Sequence, residues 1–271
     1  MGYNVNKRTV IITGASGGFG SELTKLFVLG HGCRVIGIGR SKEKMEALAD
    51  ELGGRKSKFK YLLFDVADRE KWAKFAALLT EKNIIPDLLI NNAGIMPRFE
   101  KFETEDGELA KRIIDTNLMS VIYGCEAMLP LLKKSKQGGI VNIASSAAFS
   151  PVAGTAVYSA SKGAVKNFTM ALCEEEESLY VGCVFPGFSK TDLFRDNNMT
   201  DNDFQFISSL GTDKKTVAEG IIRGMTAGKK LIVCGKDSYL MNAMSSVAPS
   251  PANALYSKIM KSSELEMFKD L

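Results

Sequence analysis

Tyr158 and Lys162 stand four residues apart in "VYSASKGAV" (157–165), with only Ser159, Ala160 and Ser161 between them. On a helix, residues i and i+4 share a face. A free phenol titrates near pH ~10, too high for useful proton exchange at neutrality. An ammonium on the same face favours the phenolate and draws that value down. The small residues between them let the helix approach a ligand closely. The spacing therefore predicts a pair suited to general acid–base work. Ser145 ends the apolar run "GIVNIAS" (139–145) and could hydrogen-bond a substrate oxygen; Ser146 is its neighbour and rival.

Such residues need a frame. Short apolar runs recur at 9–14, 33–39, 60–65, 87–92, 139–145, 180–187 and 230–235. Runs this short and this continuously apolar read as strands buried on both faces. Between them lie helical patterns at 18–30, 42–52, 69–82, 106–118, 119–135, 157–177 and 214–227. The alternation predicts an α/β fold, a doubly wound parallel sheet of about seven strands with helices on both faces. No repeat or linker divides the chain, so residues 1–271 read as one domain with its core at about 8–235. The polar, Phe-dotted stretch 188–213 leaves the carboxyl end of a strand and is expected to be a substrate lid. Residues 238–271 form an expected helical extension whose apolar stripes suit core or a subunit contact.

"TGASGGFG" (13–20) joins the first strand to the first helix. Glycines there let backbone approach a phosphate, and the helix N-terminus offers free N–H groups. Gly14, Gly18 and Gly20 fit one spacing of a dinucleotide loop; Gly14, Gly17 and Gly20 fit another. No carboxylate follows the second strand at 37–41, where a ribose 2′-hydroxyl would be bound. Arg40 could pair with a 2′-phosphate instead. NADP(H) is therefore expected over NAD(H).

Composition narrows the classes. Lys and Arg total 35 against 31 acidic residues, a net charge of +4 without a one-sided block, so nucleic-acid binding is not expected. The lone histidine, His31, leaves no material for a zinc site or a Ser-His-Asp triad, and no metal is expected. Five widely spaced cysteines fit reduced thiols in a cytoplasmic protein. No signal peptide and no bilayer-spanning run are visible.

Taken together, the motifs resemble the short-chain dehydrogenase/reductase family in its single-domain, NADP(H)-preferring branch. The resemblance covers about 8–235 and rests on "TGASGGFG", Asp65-Val66, "NNAG" (91–94), Asn117, Ser145, "YSASK" (158–162) and "PGFSKT" (186–191), in that order. "NNAG" and the modest length settle the glycine spacing toward that branch. The resemblance implies a Rossmann-type fold and a cofactor site made by Gly14, Ser16, Gly17, Gly18, Phe19, Gly20 and Arg40. Asp65 and Val66 would hold the adenine, Asn91 and Ala93 would line the adenosine side, and Pro186, Gly187 and Thr191 would hold the nicotinamide end. It also implies Asn117, Ser145, Tyr158 and Lys162 as catalytic, with Asn117 positioning a proton-relay water and Lys162 bonding the nicotinamide ribose. Phe19, where Ile or Leu is commoner, departs from the pattern.

The implied reaction is hydride transfer between NADP(H) and a ketone or secondary alcohol. Candidate pocket residues are Ile95, Met96, Phe99, Ala147, Ala148, Phe149, Phe188, Leu193, Phe194 and Phe206, mostly apolar. They suit a bulky hydrophobic substrate of the hydroxysteroid or 3-oxoacyl kind. The alternative is a catalytically silent NADP(H)-sensing protein; an epimerase or dehydratase is less consistent with the length and with "NNAG". The family pairs the helices at 119–135 and 157–177 across an interface, so a homodimer or homotetramer is expected. Membrane contact through 238–268, aided by Lys258 and Lys261, is the minor alternative for that segment.

Overall fold

Seven strands form one parallel sheet in the order β3-β2-β1-β4-β5-β6-β7. They are β1 (Thr9–Thr13), β2 (Arg34–Gly39), β3 (Phe59–Leu63), β4 (Leu88–Asn91), β5 (Gly139–Ile143), β6 (Tyr180–Pro186) and β7 (Leu231–Cys234). The computed structural model describes residues 2–189, 200, 202, 203, 205, 209, 211–262 and 265–269. Thr191, Leu193, Phe194 and Phe206, and most of the expected lid over 188–213, lie outside the described residues.

β1, β4 and β5 are buried along their whole length. Strand parity divides their side chains between two cores. Val10, Ile12, Leu88 and Ile90 face one core, with Leu23, Met45 and Ile221. These come from α1 (Gly18–Lys25), α2 (Lys42–Glu51) and α7 (Lys214–Thr226). Ile11, Leu89 and Ile140 face the other, with Trp72, Met128 and Val165. Those come from α3 (Arg69–Glu81), α5 (Ser120–Leu132) and α6 (Ala156–Glu175). Burying a side chain of this size contributes about 1.5–3 kcal/mol. The two cores therefore make the sheet a rigid platform.

The sheet grows outward from β1 through β2 to β3, then restarts on the other side of β1 with β4. Loops leaving β1 and β4 diverge there and open a crevice at the carboxyl edge. α4 (Gly107–Ile114) runs into α5 without a break. The two expected helices are one rod, joined by a π turn over Asp115–Met119 that contains Asn117. Such turns are frequent at functional sites.

The C-terminal extension folds as α8 (Lys236–Val247), α9 (Pro249–Lys261) and a short turn at Glu266–Phe268. Its Met241, Met260 and Phe268 pack with Phe99 and Val152 in a third apolar cluster. The Met267 amide donates to Asp203 Oδ1 at 3.2 Å. Large exposed apolar side chains gather here, at Tyr239, Leu240, Val247, Leu255 and Ile259. On α5 and α6, Tyr123, Leu129 and Phe168 are half-buried against the second core. No helix among the described residues is long and apolar enough to cross a membrane.

Candidate active site

The crevice at the carboxyl edge is a cleft of about 1190 Å³. Its first wall is the glycine loop. Gly14 and Gly18 adopt φ of 62° and 43°, a region that favours glycine. α2 and α3 begin with side-chain caps from Ser41 and Asp68, whereas α1 begins at Gly17 with none. Its first-turn amides are thus left for another acceptor. A Cβ on Gly17 would meet no protein atom within 4 Å, so the space beside that backbone belongs to the cleft.

Thr13 and Asn92 knit this loop to the segment after β4. Thr13 Oγ1 accepts from the Asn92 and Ala93 amides, both at 2.9 Å. Asn92 Nδ2 donates back to the Thr13 carbonyl at 2.9 Å. Ala93 and Gly94 are thereby held as cleft wall. The sequence reading missed Thr13 and Asn92; the second Asn of "NNAG" was the available signal.

At the β2 end, Ser16, Arg40, Ser41 and Lys44 line the cleft with Asp65 and Val66. Arg40 is 72% exposed and lies 3.8 Å from the Asp65 carboxylate, a loose pair that leaves the guanidinium available to an anion. Lys44, unmarked in the sequence reading, adds a second cation. Two cations and a hydroxyl with no carboxylate on β2 suit a phosphorylated ribose. The cleft therefore fits a phosphorylated dinucleotide.

At the β5–β6 end, α6 brings Tyr158 and Lys162 to the cleft, both nearly fully buried. Ser145 sits where β5 ends and lines the cleft beside Tyr158, where its hydroxyl favours the phenolate. Lys162 Nζ donates to the Ile143 carbonyl at 3.0 Å and lies 5.9 Å from the Tyr158 ring centroid. Burial lowers the Lys162 pKa to about 8. Burial also raises the Tyr158 pKa, against the pull of Ser145. Desolvation thus works against the effect that the spacing predicts, while the ammonium is anchored to the Ile143 carbonyl. A further positive charge in the cleft would draw the phenol down.

Residues 8–202 match the family model for short chain dehydrogenase. The chain belongs to that family. An NADPH-dependent pterin aldehyde reductase of Arabidopsis thaliana is 35% identical over 190 residues, covering 70% of this chain and 78% of the reductase. An NADP-dependent 3-hydroxy acid dehydrogenase of Escherichia coli (strain K12) is 35% identical over 163 residues, 60% of this chain and 64% of that enzyme. The closed form of a serine dehydrogenase complexed with NADP+ superposes at a TM-score of 0.75 with 28% identity, over 83% of this chain and 93% of that one. As a short-chain dehydrogenase, the chain is an oxidoreductase acting between CH–OH and C=O.

Of the residues singled out in the sequence, Gly14, Ser16, Gly17, Gly18, Phe19, Arg40, Asp65, Val66, Ala93, Ser145, Tyr158, Lys162, Pro186 and Gly187 all line this one cleft. Three do not. Asn91, expected on the adenosine side, points the other way because strand parity turns it into the second core. There its Nδ2 donates to Asn142 Oδ1 at 2.8 Å. Gly20 is a close-approach glycine, since a Cβ would come within 2.1 Å of the Gly14 carbonyl. Asn117 is fully buried behind the wall. Its Oδ1 accepts from the Ile95 amide at 2.8 Å, and its Nδ2 donates to the Ile95 carbonyl and to Ser161 Oγ at 2.9 and 3.1 Å. The amide of Asn117 thus fixes the wall beside Gly94 and Lys162, a positioning job. Among the described residues no cluster of metal ligands occurs.

Proposed function

We propose that this chain is an NADP(H)-dependent reductase or dehydrogenase of a ketone, aldehyde or secondary alcohol with an apolar body. One observation carries the reading. The Ser145–Tyr158–Lys162 group and the Ser16–Arg40–Lys44 group occupy opposite ends of one cleft. When bound, NADP(H) supplies or accepts the hydride. Tyr158 gives or takes the hydroxyl proton, and Ser145 donates to the substrate oxygen as charge gathers there. Lys162, held by Ile143, is placed for the ribose and adds positive potential beneath the phenol. The oxidised nicotinamide ring is cationic and would bring that further charge to Tyr158. The NADP dependence stated for the plant reductase and the bacterial dehydrogenase supports the same cofactor.

The substrate half supports the apolar body. Met96, Phe99, Val152, Phe188 and Met241 line it, and all five belong to or pack against the third apolar cluster. Hydroxysteroid-like and 3-oxoacyl-like compounds suit that wall. A second reading, a 3-hydroxy acid, is favoured by Arg98 at the cleft wall, although its Nε and Nη2 already hold the Glu100 carboxylate at 3.0 and 2.9 Å. A silent NADP(H) sensor has less support, because Ser145, Tyr158 and Lys162 are all present and grouped. The free, buried cysteines suit a reducing, cytoplasmic setting. The α5 and α6 faces remain the proposed homodimer or homotetramer contact.

The test is NADPH and NADH oxidation followed by absorbance against ketosteroids, 3-oxoacyl thioesters, pterin and simple aldehydes, and in reverse against 3-hydroxy acids. Turnover with NADPH that vanishes in Tyr158→Phe supports the reading. Tight NADPH binding with no turnover across the panel would transfer support to the sensor.

A further inference from the structure

We propose that Asp237 is a positioning residue for the nicotinamide end of the cleft, its carboxylate pinning the Gly187–Phe188 turn that faces the reacting group. The inference rests on the NADP(H) reading above and adds a residue outside the matched segment 8–202.

The turn after β6 enters the cleft as Pro186, Gly187 and Phe188, on the same side as Ser145 and Tyr158. With Arg40 at the opposite, phosphate end, the reactive ring must lie against this turn. Asp237 is in the first turn of α8, and its Oδ2 accepts from the Phe188 amide at 2.6 Å. A short, charge-assisted bond of this kind is stronger than a neutral one. Two glycines make room for the carboxylate. A Cβ on Gly187 would come within 2.1 Å of Asp237 Oδ2, and a Cβ on Gly235 within 2.6 Å of Oδ1. Gly235 holds φ at 103°, which brings the start of α8 under the turn.

Backbone and side-chain bonds around this point make one junction. The Gly187 amide donates to the Cys234 carbonyl at 2.9 Å, and the Thr212 amide to the Phe188 carbonyl at 2.9 Å. Ser238 Oγ donates to the Phe185 carbonyl at 2.8 Å. Asp237 is the charged member. Burial raises its pKa, while the Phe188 and Ser238 amides draw it down. Through this junction a residue that touches neither substrate nor cofactor sets where Gly187 meets the ring and where Phe188 joins the substrate wall. Misplacement of such a wall by an ångström can cost about 100-fold in rate.

The experiment compares whole cofactor with half cofactor. NADPH binding is read by its fluorescence, and adenosine 2′,5′-bisphosphate, which lacks the nicotinamide end, by calorimetry. In Asp237→Ala, NADPH affinity should fall about tenfold or more while the bisphosphate binds as in the wild type. Asp237→Asn keeps an oxygen for the Phe188 amide and should recover most of the loss. Gly187→Ala, which drives a methyl into the same carboxylate, should reproduce the split if Asp237→Ala folds poorly. Equal loss of both ligands, or a lowered melting temperature with NADPH affinity intact, would make Asp237 merely structural and overturn the proposal. Asn as weak as Ala would overturn the hydrogen-bond pin. Wild-type protein that binds neither ligand would sink the NADP(H) reading itself, and this inference with it.

Discussion

The two halves of the cleft are built from different material. The cofactor half is mostly backbone: Gly14, Gly17, Gly18, Ala93 and Gly94, braced from behind by Thr13, Asn92 and Asn117. The substrate half is mostly side chain: Met96, Phe99, Val152, Phe188 and Met241 around Ser145 and Tyr158. A phosphate-binding wall works by exposing amides, so its function depends on atoms being absent. A reaction pocket works by presenting particular groups, so its function depends on atoms being there. The first half should therefore break by addition and the second by deletion.

The largest effect expected is a deletion. Tyr158→Phe removes one oxygen, and a general acid–base group contributes about 10²–10⁴-fold to rate. Single-turnover measurements should show that loss with NADPH binding unchanged. Loss of NADPH binding as well would blur the division between the halves. The addition experiment uses two glycines of one loop. Gly17→Ala puts a methyl into the cleft and should weaken NADPH by about tenfold or more, equivalent to ~1.4 kcal/mol, at unchanged melting temperature. Gly20→Ala drives its methyl into the Gly14 carbonyl and should instead destabilise the fold by about 1–3 kcal/mol. If both variants behave alike, the loop is tight packing and not a cradle.

Arg40 and Met241 sharpen the contrast further. Arg40 is an exposed side chain in a half made mostly of backbone, and its pair with Asp65 is loose. Arg40→Ala should cost NADPH the ~1.5–3 kcal/mol of a charge-assisted bond and leave NADH untouched. Equal effects on both cofactors would remove the 2′-phosphate from the argument. Met241, on α8, is buried in the third cluster. Met241→Ala should lower kcat/KM about tenfold for an apolar-bodied ketone, within the ~1–3 kcal/mol such pockets discriminate, and spare a 3-hydroxy acid. A loss on the acid instead would favour the Arg98 reading.

The same contrast explains what could be read from the sequence. Local chemistry was legible. A glycine loop between strand and helix, a missing carboxylate after β2, and Tyr158 and Lys162 at helical spacing are all statements about a few adjacent residues. The seven strands were legible because both faces of the sheet are buried and the runs are continuously apolar. What needed parity or long-range packing was not. Asn91 and Asn92 are neighbours, yet only the second serves the cleft, because one step along a strand reverses the side chain. The role of Met241 depends on α8 folding back onto Phe99 and Val152, which no local pattern records. The Tyr158–Lys162 pair was legible as residues, but the burial that opposes its effect was not, since spacing says nothing about desolvation.

That last point has a measurable consequence, smaller than the others. Burial holds Lys162 at a pKa of about 8, against an ordinary value of 10.5. Below the folded value both folded and unfolded chains carry the proton, and the folded state bears the full cost of a buried charge. Between about 8 and 10.5 the unfolded chain keeps a proton that the folded chain has released. Stability supplied by this residue therefore rises with pH across that window. The raised thiol of Cys183 works in the opposite direction, because its unfolded form loses a proton first. The comparison must be differential for that reason. The melting temperature of the cofactor-free wild type, minus that of Lys162→Met, should climb as pH passes from below 8 toward 10.5. Most of the Cys183 contribution cancels in the subtraction. A flat difference would mean that the Ile143 carbonyl compensates the ammonium fully. Lys162 would then be a charged fixture of the site at every working pH, and the cation beneath Tyr158 would owe nothing to the arrival of NADP(H).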